Sequence, residues 1–279
     1  MKKFLSLFFI FLITNVFLFA QTPDPYEPEM IKAFADDLYQ SGFTDQAESE
    51  YKRYLFTFDN TNTDTEAIFK LATIYHQTKN MDGAIWLSEK FSSVVPVELS
   101  EKLFINSAGM IFYSRNLALF NSFTKTIRPD FSKELKLLIP ISVSVLNKDL
   151  PIAKELLKTA AMEFQVFVPS EKIASSIKTK SPGLALALSI FVPGSGKWYS
   201  GSFGGFASDF LVIGGLTAGT VYTGIKSDWK DWRPYVFGTC ALVFYISDLY
   251  GSYKSAERYN EFQYRVLAES IDKIYEEEF

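Results

Sequence analysis

Apolar and polar positions alternate along most of the chain with the period of an α-helix. Between residues 29 and 167, apolar side chains recur three and four positions apart, glycine is scarce, and short polar turns separate the apolar segments. From residue 181 to 251 glycine becomes frequent, acidic residues are few, and apolar stretches follow at 183–192, 205–225 and 234–250. The pattern therefore predicts an all-α protein with two differently composed halves.

The beginning of the chain is typical of a secretory signal peptide. Lys2 and Lys3 precede an apolar run at 4–19, and Ala20 stands before polar, turn-prone residues. A basic start, an apolar core and a small residue at its end direct a chain out of the cytosol. We assign residues 1–20 to this signal. An uncleaved anchor helix is the alternative, and either one places the next segment outside the cytosol.

Two segments of the helical region repeat at a fixed offset. Six positions recur 37 residues later, as Ala47 does at Ala84. The first copy contains Ala35, Leu38, Ala47, Tyr51, Tyr54 and Asp59, and the second contains Ala72, Tyr75, Ala84, Ser88, Phe91 and Pro96. A repeat of this length predicts stacked helical units that bury their apolar faces on one another.

The spacing resembles the tetratricopeptide repeat family. That family places small residues where its two helices cross and an aromatic residue or proline where one unit meets the next. The matching residues here are Ala35, Ala47, Ala72, Ala84 and Pro96. The resemblance is specific over residues 28–98 and suggestive to 165, where a third and a fourth unit are degenerate. It implies a concave groove that binds a protein segment; a spacer without a partner is the alternative.

The second and third apolar stretches predict a transmembrane helical hairpin. Each is close to the ~20 residues that cross a bilayer, whereas the first is about half as long and predicts a re-entrant or half helix. Aromatic residues mark the edges of these stretches, as in an interfacial belt: Trp198, Tyr199, Trp229, Trp232 and Tyr250. Membrane lipids are therefore expected contacts. A buried soluble core with glycine-rich turns is the alternative.

The residues between the first two apolar stretches form a recognisable turn. They are Pro193, Gly194, Gly196, Tyr199 and Gly201. This turn resembles that of a small bacterial membrane domain, which opens with an apolar half-helix, continues with Pro-Gly-x-Gly-x-x-Tyr-x-Gly and ends with two transmembrane helices. Lys197 stands where that domain more commonly has glutamine. The resemblance implies a topology more than an activity.

Asp209, Asp248 and Lys197 form a candidate polar cluster. The midpoint between the two acids in the sequence falls in the connector at 226–233, so an antiparallel hairpin places them at similar depth, near Lys197. Acids inside a membrane are costly and often functional, which would make them a proton- or ion-handling pair. The favoured interpretation is that both are interfacial and reach lipid headgroups, so that replacement by asparagine is nearly silent.

Composition excludes several classes of site. The sequence has one cysteine, Cys240, and one histidine, His76, which leaves no disulfide framework and no cysteine-based zinc site. His76 is expected to be a surface or groove residue. The net charge of −4 gives no basis for nucleic-acid binding. No constellation of a nucleophile and a base is recognisable, so we expect neither catalytic residues nor a cofactor.

The sequence thus predicts a tetratricopeptide-like solenoid at 21–168, a membrane domain at 169–251 and an amphipathic C-terminal helix at 252–279. We expect a non-enzymatic scaffold of the bacterial inner membrane whose repeats face the periplasm and bind an envelope protein. Basic residues in the short connector favour its cytoplasmic location. The alternative is a small membrane transporter or lipid-handling module that the repeats regulate.

Overall fold

The computed structural model describes residues 24–57 and 64–279, and their regular structure is entirely helical. This confirms the all-α prediction for the described residues. The predicted signal peptide and residues 58–63, which include Asp59 of the first repeat copy, lie outside them. The α-helices are α1 (Pro28–Gln40), α2 (Thr44–Thr57), α3 (Thr65–Thr78), α4 (Met81–Phe91), α5 (Val97–Tyr113), α6 (Leu117–Phe123), α7 (Lys133–Leu146), α8 (Leu150–Glu163), α9 (Val168–Ser176), α10 (Pro182–Phe191), α11 (Ser195–Tyr199), α12 (Phe203–Ser227) and α13 (Arg233–Glu278).

The chain divides into two compact units. The first contains the described residues up to Leu135 together with Tyr275–Phe279, and the second is Lys136–Ile274. Both boundaries expected from the sequence, after residues 168 and 251, fall inside the second unit. Helix α13 passes through Gly251 and Ser252 without a break. The apolar stretch at 234–250 and the amphipathic segment after it are therefore parts of one helix.

Four successive helix pairs, α1/α2, α3/α4, α5/α6 and α7/α8, each have a residue with positive φ in the turn between their two helices. These residues are Gly42, Lys79, Arg115 and Lys148. The last three are each followed by a side chain that accepts a hydrogen bond from the first turn of the next helix: Asn80, Asn116 and Asp149. Such a residue ends one helix and the cap starts the next. The third and fourth pairs therefore share a turn geometry with the second, although their sequences have diverged.

The four alanines of the repeat lie in the interior of the first unit. Ala35, Ala47, Ala72 and Ala84 are all buried, in α1, α2, α3 and α4 respectively. The second pair of helices begins 37 residues after the first, at Thr65 after Pro28 and at Met81 after Thr44. Pro96 has an extended conformation and immediately precedes α5. The sequence offset is thus also an offset between helices.

Among the described residues, one helix is long and apolar enough, by length and composition, to cross a membrane. This is α12, whose 25 residues span about 37 Å at the rise of an α-helix. Helix α10 has ten residues and is too short to do so. The second expected span, at 234–250, does not meet the same criterion, because Pro234, Asp248 and three tyrosines lower its mean hydropathy.

Replacing Ala35 by tryptophan should destabilise the first unit, because a large side chain at a closely packed buried position typically costs ~1–3 kcal/mol. Ala33 lies two residues away on the same helix and is exposed, so Ala33→Trp is the matched control. The measurement is thermal unfolding of the full chain in detergent, followed by circular dichroism. Equal melting temperatures for the two variants would contradict close packing at Ala35.

Candidate functional site

The turn between α10 and α12 brings glycine into positions that other residues do not readily occupy. Gly194 has φ +82° and Gly201 has φ +89°, both in the left-handed region. A Cβ on Gly194 would also lie 2.9 Å from the Cα atom of Phe206 in α12. Pro193 precedes Gly194 directly and cannot continue α10. These residues therefore set the sharp change of direction that the sequence pattern predicts.

Gly196 lies where three helices meet. A Cβ at this position would be 2.0 Å from the carbonyl oxygen of Ala185 in α10 and 2.7 Å from the Cβ of Ser252 in α13. Tyr199, at the end of α11, accepts a hydrogen bond from the backbone N–H of Ser181 at 3.2 Å and so connects α11 to the start of α10. Gly196 thus allows α10 and α13 to approach α11 closely, and Tyr199 provides a hydrogen bond between α11 and the start of α10.

The carboxylate of Asp248 is completely buried beside this turn. Its side chain has 0% exposure, and one oxygen accepts a hydrogen bond from the backbone N–H of Gly194 at 2.7 Å. The other oxygen accepts from the hydroxyl of Ser252 at 3.2 Å. Gly194 is the residue that precedes α11, so the carboxylate compensates an N–H group at the start of a helix. Asp248 thereby links α13 to the turn.

Lys197 lies between the two acids. Its ammonium group forms an ion pair with Asp209 of α12 and lies 3.6 Å from an oxygen of Asp248. Two glycines leave space for its side chain: a Cβ on Gly251 would be 2.9 Å from its Cε, and one on Gly205 would be 3.1 Å from its Cδ. The structure therefore brings together all three residues of the candidate polar cluster.

The expectation that both acids reach lipid headgroups is wrong for Asp248. Asp209 and Lys197 keep about a fifth of their side-chain surface exposed, at 22% and 19%, whereas Asp248 has none. The reason is that the turn folds over this part of α13 and supplies a hydrogen bond from Gly194 and the positive charge of Lys197, which a buried carboxylate needs. The position of Asp248 along its helix does not reveal this covering turn.

Two serines belong to the cluster and were not singled out from the sequence. Ser189 and Ser252 share a hydrogen bond of 2.7 Å, and Ser189 also accepts one from the N–H of Gly196 at 3.0 Å. Ser252 follows Asp248 by four residues on α13, which places both side chains on one helix face. That spacing was the available signal for Ser252. Ser189 lies in an apolar stretch, and its sequence context gives no comparable signal.

The polar cluster is a set of fixed charges and hydrogen bonds connecting α10, α11, α12 and α13. Each carboxylate has a partner, and the hydroxyl groups of Ser189 and Ser252 bond to each other and to backbone or carboxylate groups. Within the described part of the chain, no group of three or more acidic, histidine or cysteine side chains could hold a metal ion. His76 lies in the first unit, 3.0 Å from the side-chain oxygen of Asn106. The arrangement is suited to holding helices together.

Comparisons with protein-family models, with curated proteins and with solved structures found no match to this chain.

Replacing Gly196 by alanine should disrupt the turn, because the added methyl group has no space between α10 and α13. Gly204, in α12, has nothing within 4 Å of an added Cβ, so Gly204→Ala is a matched control that should be neutral or slightly stabilising. We expect the thermal unfolding temperature of the full chain in detergent to fall for Gly196→Ala only. An unchanged melting temperature for Gly196→Ala would contradict the close approach at this position.

Proposed function

We propose that the protein is a non-enzymatic scaffold, anchored in a bacterial inner membrane, that presents a tetratricopeptide-like repeat domain to an envelope protein in the periplasm. One observation carries the membrane part of this proposal. Helix α12 is 25 residues long, and only 6% of its most apolar 18-residue stretch is buried within the protein. The core helix of a soluble protein would be mostly buried, so this exposure favours lipid as its surroundings.

Further exposed apolar side chains near α12 support the same conclusion. Large apolar side chains exposed in number on neighbouring helices commonly mark a membrane or protein contact. The large exposed side chains of α12 and the first part of α13 are Phe203, Phe210, Leu211, Val212, Val221, Tyr222, Ile225, Tyr235, Val236, Phe237, Leu242, Val243, Phe244, Ile246 and Tyr250.

The contacts between α12 and α13 support a hairpin. A Cβ on Gly219 would lie 3.6 Å from the ring of Phe237, and one on Gly238 would lie 3.4 Å from the methyl group of Thr220. Asp209 of α12 and Asp248 of α13 both contact Lys197, at a greater distance from the connector than these glycines, as expected for antiparallel helices. Small residues at such contacts are typical of membrane helix pairs. We therefore propose that the start of α13 crosses the membrane beside α12.

The repeat domain is the proposed binding element. The first two helical pairs are offset by 37 residues, and large apolar side chains remain exposed on the first helix of each of them. These are Met30 and Phe34 on α1 and Phe69 on α3. Stacked helical pairs bind partners through surfaces of this kind. Phe34, with 53% exposure, is the side chain we expect to contact the partner.

The buried cluster is the observation that favours the alternative, a small transporter or lipid-handling module. An acid and a base between membrane helices often mark a path for protons or ions. Here Asp248 contacts the backbone of Gly194 and the ammonium group of Lys197, both in the turn. Its third partner, Ser252, lies on α13 and bonds in turn to Ser189 of α10. A structural role accounts for each of these bonds, so the scaffold remains the preferred proposal.

Crosslinking from a single cysteine tests both the location and the partner. We expect Phe34→Cys, in a Cys240→Ala background, to react in spheroplasts with a membrane-impermeant thiol-to-amine crosslinker and to join an envelope protein. Ser227→Cys, at the end of α12, is the control and should react only after the membrane is permeabilised. Reaction at Ser227→Cys but not at Phe34→Cys in intact spheroplasts would contradict the orientation. Reaction at Phe34→Cys without any crosslinked protein would contradict the scaffold.

A further inference from the structure

The last turn of α13 and the following Phe279 form a short acidic segment that packs on helices of the first unit. This segment, Tyr275–Phe279, belongs to that unit, and Phe279 contacts residues of α3 and α5. The ring of Phe279 stacks on the ring of His76, with 4.7 Å between centroids, and lies 6.2 Å from the ring of Phe69. Lys102 donates a hydrogen bond to the carbonyl oxygen of Phe279 at 3.2 Å. We call Phe69, His76 and Lys102 the aromatic seat.

The seat is organised by bonds that do not involve the segment. His76 Nδ1 lies 3.0 Å from the side-chain oxygen of Asn106, and the amide group of Asn106 donates to the backbone carbonyl of Ala72 at 3.2 Å. These bonds fix the plane of the imidazole against which Phe279 stacks. The ammonium group of Lys102 lies over the ring of Phe69, 5.6 Å from its centre, and this contact also does not involve the segment. The seat would therefore keep its shape if Phe279 left.

Only part of the segment is firmly held. Tyr275 is buried, with its Cβ 2.9 Å from the position that a Cβ on Gly109 would take. Phe279 is only partly buried. The ion pair between Lys79 and Glu276 is 3.9 Å long and joins two exposed side chains, so it contributes little to the stability of the docked segment. Glu276 and Phe279 are thus held less firmly than Tyr275.

Docking also brings like charges together. Burial, together with the negative charges of Glu278 and Glu101, raises the pKa of Glu134. A raised carboxyl pKa means that the docked arrangement disfavours ionised Glu134, and this cost is relieved as the pH falls through the raised pKa. At neutral pH the acidic segment therefore docks at an electrostatic cost at Glu134, while its ring and carbonyl oxygen fit the seat.

We propose that the aromatic seat is a binding site for an acidic peptide segment carrying phenylalanine after a run of glutamates, and that Tyr275–Phe279 occupies it as an internal competitor. The occupant in the structure defines the chemistry: a ring between Phe69 and His76, a carbonyl oxygen at Lys102, and acids within reach of Lys79. The proposal rests on the scaffold function, since the partner would supply that peptide. Its binding must displace the internal segment, which lowers the apparent affinity by the fraction of open seats.

The test uses the full chain in detergent and a fluorescent peptide of residues 272–279 with an amidated end, measured by anisotropy. Phe279→Ala removes the ring that occupies the seat. Glu276→Lys places a second positive charge beside Lys79, at an exposed position where packing is not altered, and so weakens docking of the segment. We expect both variants to bind the peptide more tightly than the unaltered chain, with a gain of at least about tenfold for Phe279→Ala. Phe262→Ala, an exposed aromatic position on the same helix, is the matched control and should bind as the unaltered chain does.

Adding Lys102→Met to Phe279→Ala should reverse the gain, because methionine keeps the apolar stem and removes the donor. A peptide with alanine in place of its phenylalanine should not bind. Equal affinity of the unaltered chain and both segment variants, with helical content preserved, would overturn the proposal. Equal binding of the peptide that lacks phenylalanine would also overturn it. Peptide binding and crosslinking at Phe34→Cys are separate readouts, so failure of the seat and failure of the scaffold are distinguishable.

Discussion

A carboxylate removed from water needs hydrogen bonds and a nearby positive charge, and the turn before α12 gives Asp248 one hydrogen bond and the positive charge. The N–H of Gly194 and the hydroxyl of Ser252 bond to its two oxygens, and Lys197 lies 3.6 Å away. The turn can supply its two contacts only because its glycines let the backbone come close to α13 and α12. The positions of α10, α11, α12 and α13 are therefore tied to one buried group.

This dependence explains why the turn combines glycines with charged residues. Gly196 admits the carbonyl of Ala185 and the side chain of Ser252, while Gly205 and Gly251 leave space for Lys197. Removing one partner from a buried charged group commonly costs more than the pair contributes, because the remaining charge is left without compensation. The cluster therefore favours one arrangement of α10 to α13, whose other surfaces are apolar and could pack in several ways.

The helical class, the turn and the proximity of Lys197, Asp209 and Asp248 could be predicted from the sequence. The periodicity of apolar residues and the register of a hairpin depend on local spacing, which the sequence displays directly. The burial of Asp248 and the role of Ser189 depend on the turn folding over α13, a long-range contact that local spacing does not show. The sequence also does not predict that α13 continues through Gly251, because a glycine followed by a serine is typical of a helix end. In the structure this glycine lies inside the helix and leaves space for the side chain of Lys197.

The most direct test of this account compares Asp248→Ala with Asp209→Ala by thermal unfolding of the full chain in detergent. Asp248→Ala leaves the N–H of Gly194 buried without a partner, and an unsatisfied buried donor costs ~1–3 kcal/mol. Asp209→Ala leaves Lys197 with Asp248 and with partial access to solvent, so we predict a clearly smaller loss. Equal losses, or a larger loss for Asp209→Ala, would contradict the claim that the Asp248 carboxylate holds the turn and the helices together.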